Sequence, residues 1–320
     1  MTKSLRIYGH KRDSKVVQHK VFSFNRTHPK ALQLPSYVNL IEKYKDLFIA
    51  AQLPYDQGQL GSCTSQGLAF AFVYNELSQH NKALFMPARL FIYYNERSLE
   101  DTVNSDSGAQ ICDGVAVLKK YGVCEEKLLP YDCSKFTLKP SVHCYDEAEK
   151  SQLIDAQKLD ITNDYNHDIE QIKSALASGH PIVFGFNVYE SFESDAVAQT
   201  GVMPMPHVNE RYMGGHCVVA VGYDDKRGAL LVRNSWGTDW GCSPFPNDKS
   251  VLHRGYFWMP YHYVPTIHFQ YGSNCSDFWT LGSIEDPAIS EIDNYDKKSI
   301  DVDVVEADAQ NTSGGVVNPF

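Results

Sequence analysis

The sequence lacks any hydrophobic segment long enough to cross a lipid bilayer. A transmembrane helix needs about 20 consecutive, mainly apolar residues, and no run within the 320 residues comes near that length. The first ten residues also lack the apolar stretch of a secretory signal peptide. We therefore expect no membrane partner, and the compartment stays open between the cytoplasm and export by a non-classical route.

Cysteine occurs eight times, but without the close spacing that zinc sites use. Zinc ligands come in pairs separated by about two to four residues, whereas four successive cysteines here have eight to eleven residues between neighbours (Cys112, Cys124, Cys133 and Cys144). We predict neither a metal nor a cofactor. If one cysteine is a free nucleophile, the other seven cannot all pair within one chain. Whether a single disulfide such as Cys133–Cys144 forms is left open by the sequence.

An overall excess of basic residues is missing too, because the formal net charge is −10. The charge is uneven: residues 1–30 hold eight Lys or Arg and one acid, and residues 284–320 hold nine acids and two lysines. No nucleic-acid-binding signature follows the basic end, so no nucleic-acid partner is expected. We predict a basic N-terminal arm (1–33), a main domain (34–270) and an acidic tail (271–320) that is disordered from about residue 284.

The main domain has enough apolar residues for a sizeable core, and their periodicity changes along it. Helical spacing predicts helices near 63–80, 88–97, 114–121 and 168–178. Strand-like runs follow at 182–188, on either side of a turn at 222–228, and at 255–259. Helices first and an antiparallel sheet later indicate an α+β fold.

One cysteine is placed for chemistry. Cys63 follows a Gly-Ser pair and precedes an apolar run in which Leu68, Phe72 and Leu77 share one helical face. It is predicted at the N-terminus of a buried helix, where the helix dipole favours a thiolate, the nucleophile of cysteine-based covalent catalysis. The competing interpretation is a small, inert core cysteine.

A base and its orienting group follow later in the chain. Gly214 and Gly215 lead His216 into a strongly apolar strand, and the next turn brings the chain back to Asn234 and Trp236. A hairpin of this kind places Asn234 beside His216, where its amide accepts from one ring nitrogen and leaves the other to face the nucleophile. Trp236 is placed to shield that hydrogen bond from water.

These segments resemble the papain-like cysteine peptidases, the C1 family with catalytic Cys, His and Asn. The resemblance lies in Gln57-Gly58 with 61–63, in 215–223 and in 234–237, in the family's order, and it covers about residues 50–265. The stretch 55–64 is closer to bacterial or viral-type branches than to animal cathepsins. Leu60 stands where many relatives have a disulfide cysteine, and Thr64 replaces the usual tryptophan after the nucleophile.

The resemblance implies a cysteine endopeptidase with two lobes, a helical lobe carrying the nucleophile and an antiparallel sheet lobe carrying the base. In this scheme Cys63 attacks the scissile carbonyl, His216 acts as the imidazolium and acid, Asn234 orients His216, and Gln57 holds the oxyanion. The substrate is a protein or peptide, hydrolysed through a thioester acyl-enzyme, and we expect a monomer.

Seven further residues are predicted to bind substrate. The segment that contains Gly108 resembles the family's glycine-rich strand, whose backbone pairs with substrate, although Ala109 stands where a second glycine is common. The small or apolar character of some of these residues predicts a pocket for an apolar side chain before the scissile residue. The full set is Gly108, Ala109, Ile111, Gly214, Gly215, Cys217 and Trp236.

Other interpretations stay open. The same Cys-His-Asn scaffold would serve an acyltransferase or amidase, and a non-catalytic homologue or an interaction protein acting through its charged ends would keep the fold without the reaction. The arm (1–33) lies where family prosegments lie, so it is predicted either to restrain the enzyme or to cover an edge of the sheet lobe.

Overall fold

The computed structural model describes residues 6–14, 20–22, 34–51, 55–80, 85–250 and 253–284. Within these ranges the α-helices are α1 (Lys45–Ala50), α2 (Cys63–His80), α3 (Arg89–Leu99), α4 (Ile111–Tyr121), α5 (Val142–Ala148), α6 (Tyr165–Ala177) and α7 (Asp195–Thr200). The strands are β1 (His10–Lys11), β2 (Lys20–Phe22), β3 (Tyr37–Asn39), β4 (Ala109–Gln110), β5 (Ala156–Leu159), β6 (Ile182–Tyr189), β7 (Tyr212–Asp224), β8 (Ala229–Arg233), β9 (Tyr256–Pro260), β10 (Ile267–His268), β11 (Gly272–Ser273) and β12 (Cys275–Leu281). The predicted α+β arrangement is confirmed.

Helix α2 is the centre of the helical lobe. Its residues 63–75 are all buried, because α3 and α4 pack on it from one side and β7 from the other. A helix that is apolar nearly all round is the type that fits such a position. Gly67 lets α2 approach the sheet closely, since a Cβ there would lie 3.3 Å from Cys217 Sγ and from Val183.

The main sheet places His216 opposite this helix. Its strands follow the order β2-β5-β12-β6-β7-β8-β9, and β3 also pairs with β7. Strands β7 and β8 form the predicted hairpin, with Val219 opposite Arg233. This register carries Asn234, the residue after β8, toward His216 on β7.

The main domain extends beyond the predicted boundary at residue 270. Strand β12 lies between β5 and β6 and pairs with both, and Phe278 and Trp279 on it are buried. Abundant acids in the last fifty residues hid a strand whose apolar side chains fill the core. The compact unit ends at Ile284, and the residues predicted to be disordered, 285–320, lie outside the described part.

The described residues of the arm, 6–14 and 20–22, likewise belong to the compact unit. Strand β2 pairs in parallel with β5 at the edge of the main sheet, and β1 pairs in parallel with β4 of the helical lobe. Pairing with a sheet edge agrees with the interpretation of the arm as a cover for that edge. Strand β1, in contrast, lies against the candidate active site.

The described ranges contain neither a membrane-spanning helix nor a cluster of metal-ligating side chains. None of the helices there is long and apolar enough to span a membrane. No cluster of three or more His, Cys, Asp or Glu side chains suited to a metal ion occurs among the same residues.

Candidate active site

Cys63 is the first residue of α2, as the sequence predicts. Its side chain is fully buried. Burial raises the pKa of the Cys63 thiol to about 12, and the backbone N–H groups of Cys217, Gly9 and Thr64 offset only part of that rise. In this structure Cys63 is therefore a neutral thiol and not the thiolate that the helix dipole predicts. The exclusion of water raises its pKa more than the helix N-terminus lowers it.

His216 and Asn234 meet as predicted, with His216 Nε2 2.8 Å from Asn234 Oδ1. The backbone N–H of Ser235 donates to the same oxygen over 2.8 Å, which fixes the orientation of the amide. Because that oxygen accepts, Nε2 carries the hydrogen. The other ring nitrogen, Nδ1, is buried without a hydrogen-bond partner among the described residues, so it is free for proton transfer.

Aromatic rings enclose this pair. The Trp236 ring stacks on the His216 ring with centroids 5.0 Å apart, and Phe186 lies at 5.8 Å. Burial lowers the pKa of His216 to about 4, although the bond to Asn234 acts in the opposite direction. At neutral pH both Cys63 and His216 are therefore uncharged in this form.

Gln57 is held with its amide nitrogen toward the site. Its Oε1 accepts from Ser235 Oγ over 2.6 Å. Its Nε2 donates to the carbonyl of Leu60 over 2.9 Å and to the carbonyl of Ile7 over 3.2 Å. A fixed donor of this kind is what an oxyanion hole requires, and here a peptide carbonyl of the arm occupies it.

Residues 6–14, which we call the arm segment, cross the whole site. A Cβ on Gly9 would lie 1.7 Å from the carbonyl oxygen of Gly61, so the two backbones are in close contact. The Ala109 N–H donates to Gly9 O over 2.8 Å. The Arg6 guanidinium lies 4.8 Å above the Trp236 ring. The arm segment thus contacts Cys63, Gln57 and Trp236 together.

Asp13 anchors the far end of the arm segment. Its Oδ1 accepts from the backbone N–H of Cys112 in the first turn of α4, over 3.1 Å. Its Oδ2 accepts from Trp279 Nε1 at 3.1 Å and from Lys158 Nζ at 2.9 Å. Sequence reasoning missed this residue, and its one signal was a lone acid among eight basic residues.

Five of the seven residues predicted to bind substrate contact the arm segment. Gly108 and Ala109 meet Gly9, Gly214 meets Tyr8, Gly215 meets His10, and Trp236 meets Arg6. Ala109 pairs with the arm in spite of its methyl group. The other two point elsewhere: Cys217 packs against Gly67 of α2, and Ile111 lies in the hydrophobic core. All eight cysteines are free thiols, including the pair proposed as a possible bridge, Cys133 and Cys144.

Sequence reasoning also missed a buried acid close to Cys63. Glu96 on α3 is fully buried, and its Oε2 accepts from Thr64 Oγ1 over 2.9 Å. Burial raises the pKa of Glu96 to about 8, and the bond from Thr64 only partly opposes this. The side chain is therefore mostly protonated at neutral pH, and Thr64, which replaces the family's usual tryptophan, has this carboxyl group as its partner.

Glu96→Gln is expected to flatten the pH dependence of stability. The folded protein binds the Glu96 proton more tightly than the unfolded chain, so stability falls as pH rises from about 4.5 to about 8. Glutamine stays neutral throughout, so the variant should be more stable than the wild type at pH 8, by roughly 4 kcal/mol, and about equal at pH 4.5. Thermal unfolding at both pH values measures this, and a constant difference between the proteins would contradict it.

Comparisons with known proteins agree with this geometry. Residues 55–247 match the papain family of cysteine proteases. An uncharacterized peptidase C1-like protein of Acanthamoeba polyphaga mimivirus is 44% identical over 265 residues, which are 82% of this chain and 79% of the viral protein. Cathepsin B of Dictyostelium discoideum is 25% identical over 249 residues, 71% of this chain and 72% of that protein.

A solved structure agrees as well. The crystal structure of xylellain, a cysteine protease from Xylella fastidiosa, superposes with a TM-score of 0.69 at 34% identity, over 86% of this chain and 96% of xylellain. The viral and bacterial relatives confirm the resemblance to non-animal branches. The chain is a papain-family cysteine peptidase, a hydrolase that acts on protein or peptide substrates.

Proposed function

We propose that Cys63, His216, Asn234 and Gln57 carry out peptide-bond hydrolysis once the arm segment leaves the site. Water then reaches the Cys63 thiol and the His216 ring, and the cost of charging them falls. The thiol proton passes to His216 Nδ1, the nitrogen without a partner, which gives a thiolate and an imidazolium.

The thiolate attacks the scissile carbonyl, and the carbonyl oxygen becomes an oxyanion. Gln57 Nε2 and the Cys63 backbone N–H stabilise it, an effect of roughly 10²–10³ in rate for one such donor. His216 gives its proton to the leaving amine, and a thioester remains on Cys63. Water then hydrolyses the thioester and regenerates the thiol.

The observation that carries this proposal is the hydrogen bond from Gln57 Nε2 to the Ile7 carbonyl, 3.2 Å long. A peptide carbonyl already lies on the proposed oxyanion donor, while Gly9 of the same segment lies on Cys63. The arm segment therefore occupies the site much as a bound peptide would. For the same reason we propose that it restrains the enzyme.

A peptide-library digest of the full chain tests the proposed reaction. Hydrolysis of internal peptide bonds is expected, with products that carry free carboxylates. Repeating the digest with a high concentration of an added amine separates hydrolysis from acyl transfer, because an acyltransferase would put the amine into most of the product. Predominant amide products, or no cleavage after the arm is displaced, would contradict the proposal.

Asn234→Ala is expected to lower kcat/KM by about 10- to 100-fold, less than the loss of His216. The ring would lose its hydrogen-bond acceptor, but Trp236 would still hold one face of it. Because the bond to Asn234 raises the pKa of His216, the alkaline limb of the pH–rate profile should also move to lower pH. An unchanged limb would indicate that Asn234 has only a structural role, and Asn234→Gln is the conservative comparison.

A further inference from the structure

Glu96 of α3 is enclosed between three helices of the helical lobe. Its side chain is fully buried. Oε2 accepts from Thr64 Oγ1 over 2.9 Å, and Oε1 has no hydrogen-bond partner among the described residues. Gly114 of α4 leaves room for the carboxyl group, because a Cβ there would lie 2.3 Å from Oε1. The carboxyl group thus lies where α2, α3 and α4 meet, away from solvent.

Arg97, the next residue of α3, is committed to other partners. Its Nη1 donates to the carbonyls of Val103 and Ser105 over 2.7 and 3.1 Å. Its Nε donates to the Tyr93 carbonyl over 3.2 Å. Burial raises the pKa of Glu96 most, and the positive charge of Arg97 opposes the rise less than neighbouring acids add to it. Arg97 therefore does not neutralise an ionised Glu96.

The other charged groups around Glu96 oppose its ionisation. Glu100 lies one turn later at the end of α3, Asp113 lies in the first turn of α4, and both add to the rise in the pKa of Glu96. The Lys11 ammonium of the arm segment pairs with Glu100. On β7, burial raises the pKa of the Cys217 thiol, and the charge of Glu96 adds to that rise. A buried carboxylate without a cation is costly, so the protonated acid is the stable form here.

Glu96 acts on Cys63 in two ways. It holds the Thr64 hydroxyl, and the Thr64 backbone N–H donates to the Cys63 sulfur. Burial raises the pKa of Cys63 most, and the charge of Glu96 adds to the rise. Burial also lowers the pKa of His216 most, but the charges that lower it further belong to the arm segment. An ionised Glu96 therefore disfavours the thiolate without an equal gain for the imidazolium.

The role of Thr64 grows when the arm segment leaves. The Cys63 sulfur then loses the N–H of Gly9 and keeps those of Thr64 and Cys217. Thr64 belongs to α2 and not to the arm, so its bond to Glu96 persists. The thiolate that attacks the substrate thus forms beside a donor that Glu96 holds in place.

We propose that Glu96 is a positioning residue of the peptidase that acts through Cys63: its protonated side chain holds Thr64 beside the thiolate, and loss of its proton lowers the fraction of Cys63 that forms the thiolate. The proposal rests on the proposed peptidase function and gives that site an alkaline limit. Because burial raises the pKa of Glu96 to about 8, the limit lies between about pH 7 and pH 9.

Glu96→Gln tests the charge, because glutamine is neutral at every pH and its oxygen still accepts from Thr64. The alkylation rate of Cys63 by iodoacetamide is measured on the full chain, and the labelled peptide is identified by mass spectrometry. Both proteins carry the same arm, so the fraction with a displaced arm cancels in the variant/wild-type quotient. We expect this quotient to rise from about 1 at pH 6 to about 10 at pH 9.

A quotient that stays constant between pH 6 and pH 9 would overturn the proposal, whatever the absolute rates are. The quotient of kcat/KM for one fluorogenic peptide should rise in parallel with the alkylation quotient. Alkylation needs only the thiolate, so a rising alkylation quotient in a chain that hydrolyses no peptide would support the role of Glu96 and count against the peptidase function.

A purely structural role of Glu96 gives the opposite result. Unfolding of the wild type at pH 9 would expose Cys63 and speed its alkylation, so a quotient below 1 would overturn the proposal. Glu96→Met, also neutral, should show the same rise as Glu96→Gln, so the test stands if one variant does not fold. Asp146→Asn, at an exposed acid on α5, is the matched control, and its quotient should stay near 1 at both pH values.

Discussion

Replacing Cys63 with alanine is expected to abolish peptide hydrolysis, lowering kcat/KM by at least about 10⁴-fold. Cys63 is the proposed nucleophile, and the proposed roles of His216, Asn234 and Gln57 as base, orienting amide and oxyanion donor do not include forming the thioester. His216→Ala should be almost as damaging. Since the three groups act as a unit, the double variant should be little worse than either single one.

Folding should not change with these losses. Cys63 is a small residue, and alanine removes one sulfur atom from a position that α2 and the sheet enclose, so the melting temperature should move by only a few degrees. Cys242→Ala, a partly exposed thiol outside the site, is the control and should keep full activity. Substantial hydrolysis by Cys63→Ala would show that the peptidase reaction depends on another residue.

The placement of Cys63, His216 and Asn234 could be predicted from the sequence because it depends on local and hairpin contacts. Cys63 begins α2 because an apolar run starts there, and Asn234 reaches His216 because the turn at 222–228 fixes the register of β7 and β8. Periodicity and turn residues determine such features directly. The antiparallel sheet and the order of the lobes followed from the same signals.

What the sequence could not predict depends on long-range contacts with the arm. Burial raises the pKa of the Cys63 thiol, and the backbone of Gly9, more than fifty residues earlier, contacts that thiol through a hydrogen bond that only partly opposes the rise. Asp277 and Asp13 meet across the sheet through a hydrogen bond between residues 264 positions apart. No local sequence pattern encodes such pairs. Strand β12 was missed for the same reason: the local excess of acids indicated a tail, whereas the strand forms through long-range pairing.

Displacing the arm without removing it should raise activity by about 100-fold or more. Gly9 has no room for a side chain, because a Cβ there would lie 1.7 Å from the Gly61 carbonyl oxygen. Gly9→Val in the full chain should therefore lift the arm segment from Cys63 while β2 and the rest of the arm stay in place. If the arm segment is off Cys63 in fewer than about one wild-type molecule in a hundred, releasing it in all molecules raises activity by about 100-fold or more.

Alkylation of Cys63 by iodoacetamide gives a second readout of the same change. Faster alkylation of Cys63 than of the other thiols is expected only for Gly9→Val, since burial raises the pKa of the Cys63 thiol to about 12 in the covered form. Lys11→Ala is the control within the arm segment. It breaks an ion pair with Glu100 in which the lysine is 37% and the carboxylate 9% exposed but leaves Gly9 on Cys63, so its activity should rise far less than that of Gly9→Val.

A truncation that starts at Leu34 separates restraint from a purely structural arm. If the arm segment restrains the enzyme, this shorter chain should match Gly9→Val in activity, and Cys63→Ala in either background should be inactive. Equal activity of the wild type, Gly9→Val and the truncated chain would rule out restraint. The truncated chain could instead fail to fold while Gly9→Val is no more active than the wild type. That result would show that the arm serves mainly to complete the fold, through the pairing of β2 with β5 at the sheet edge.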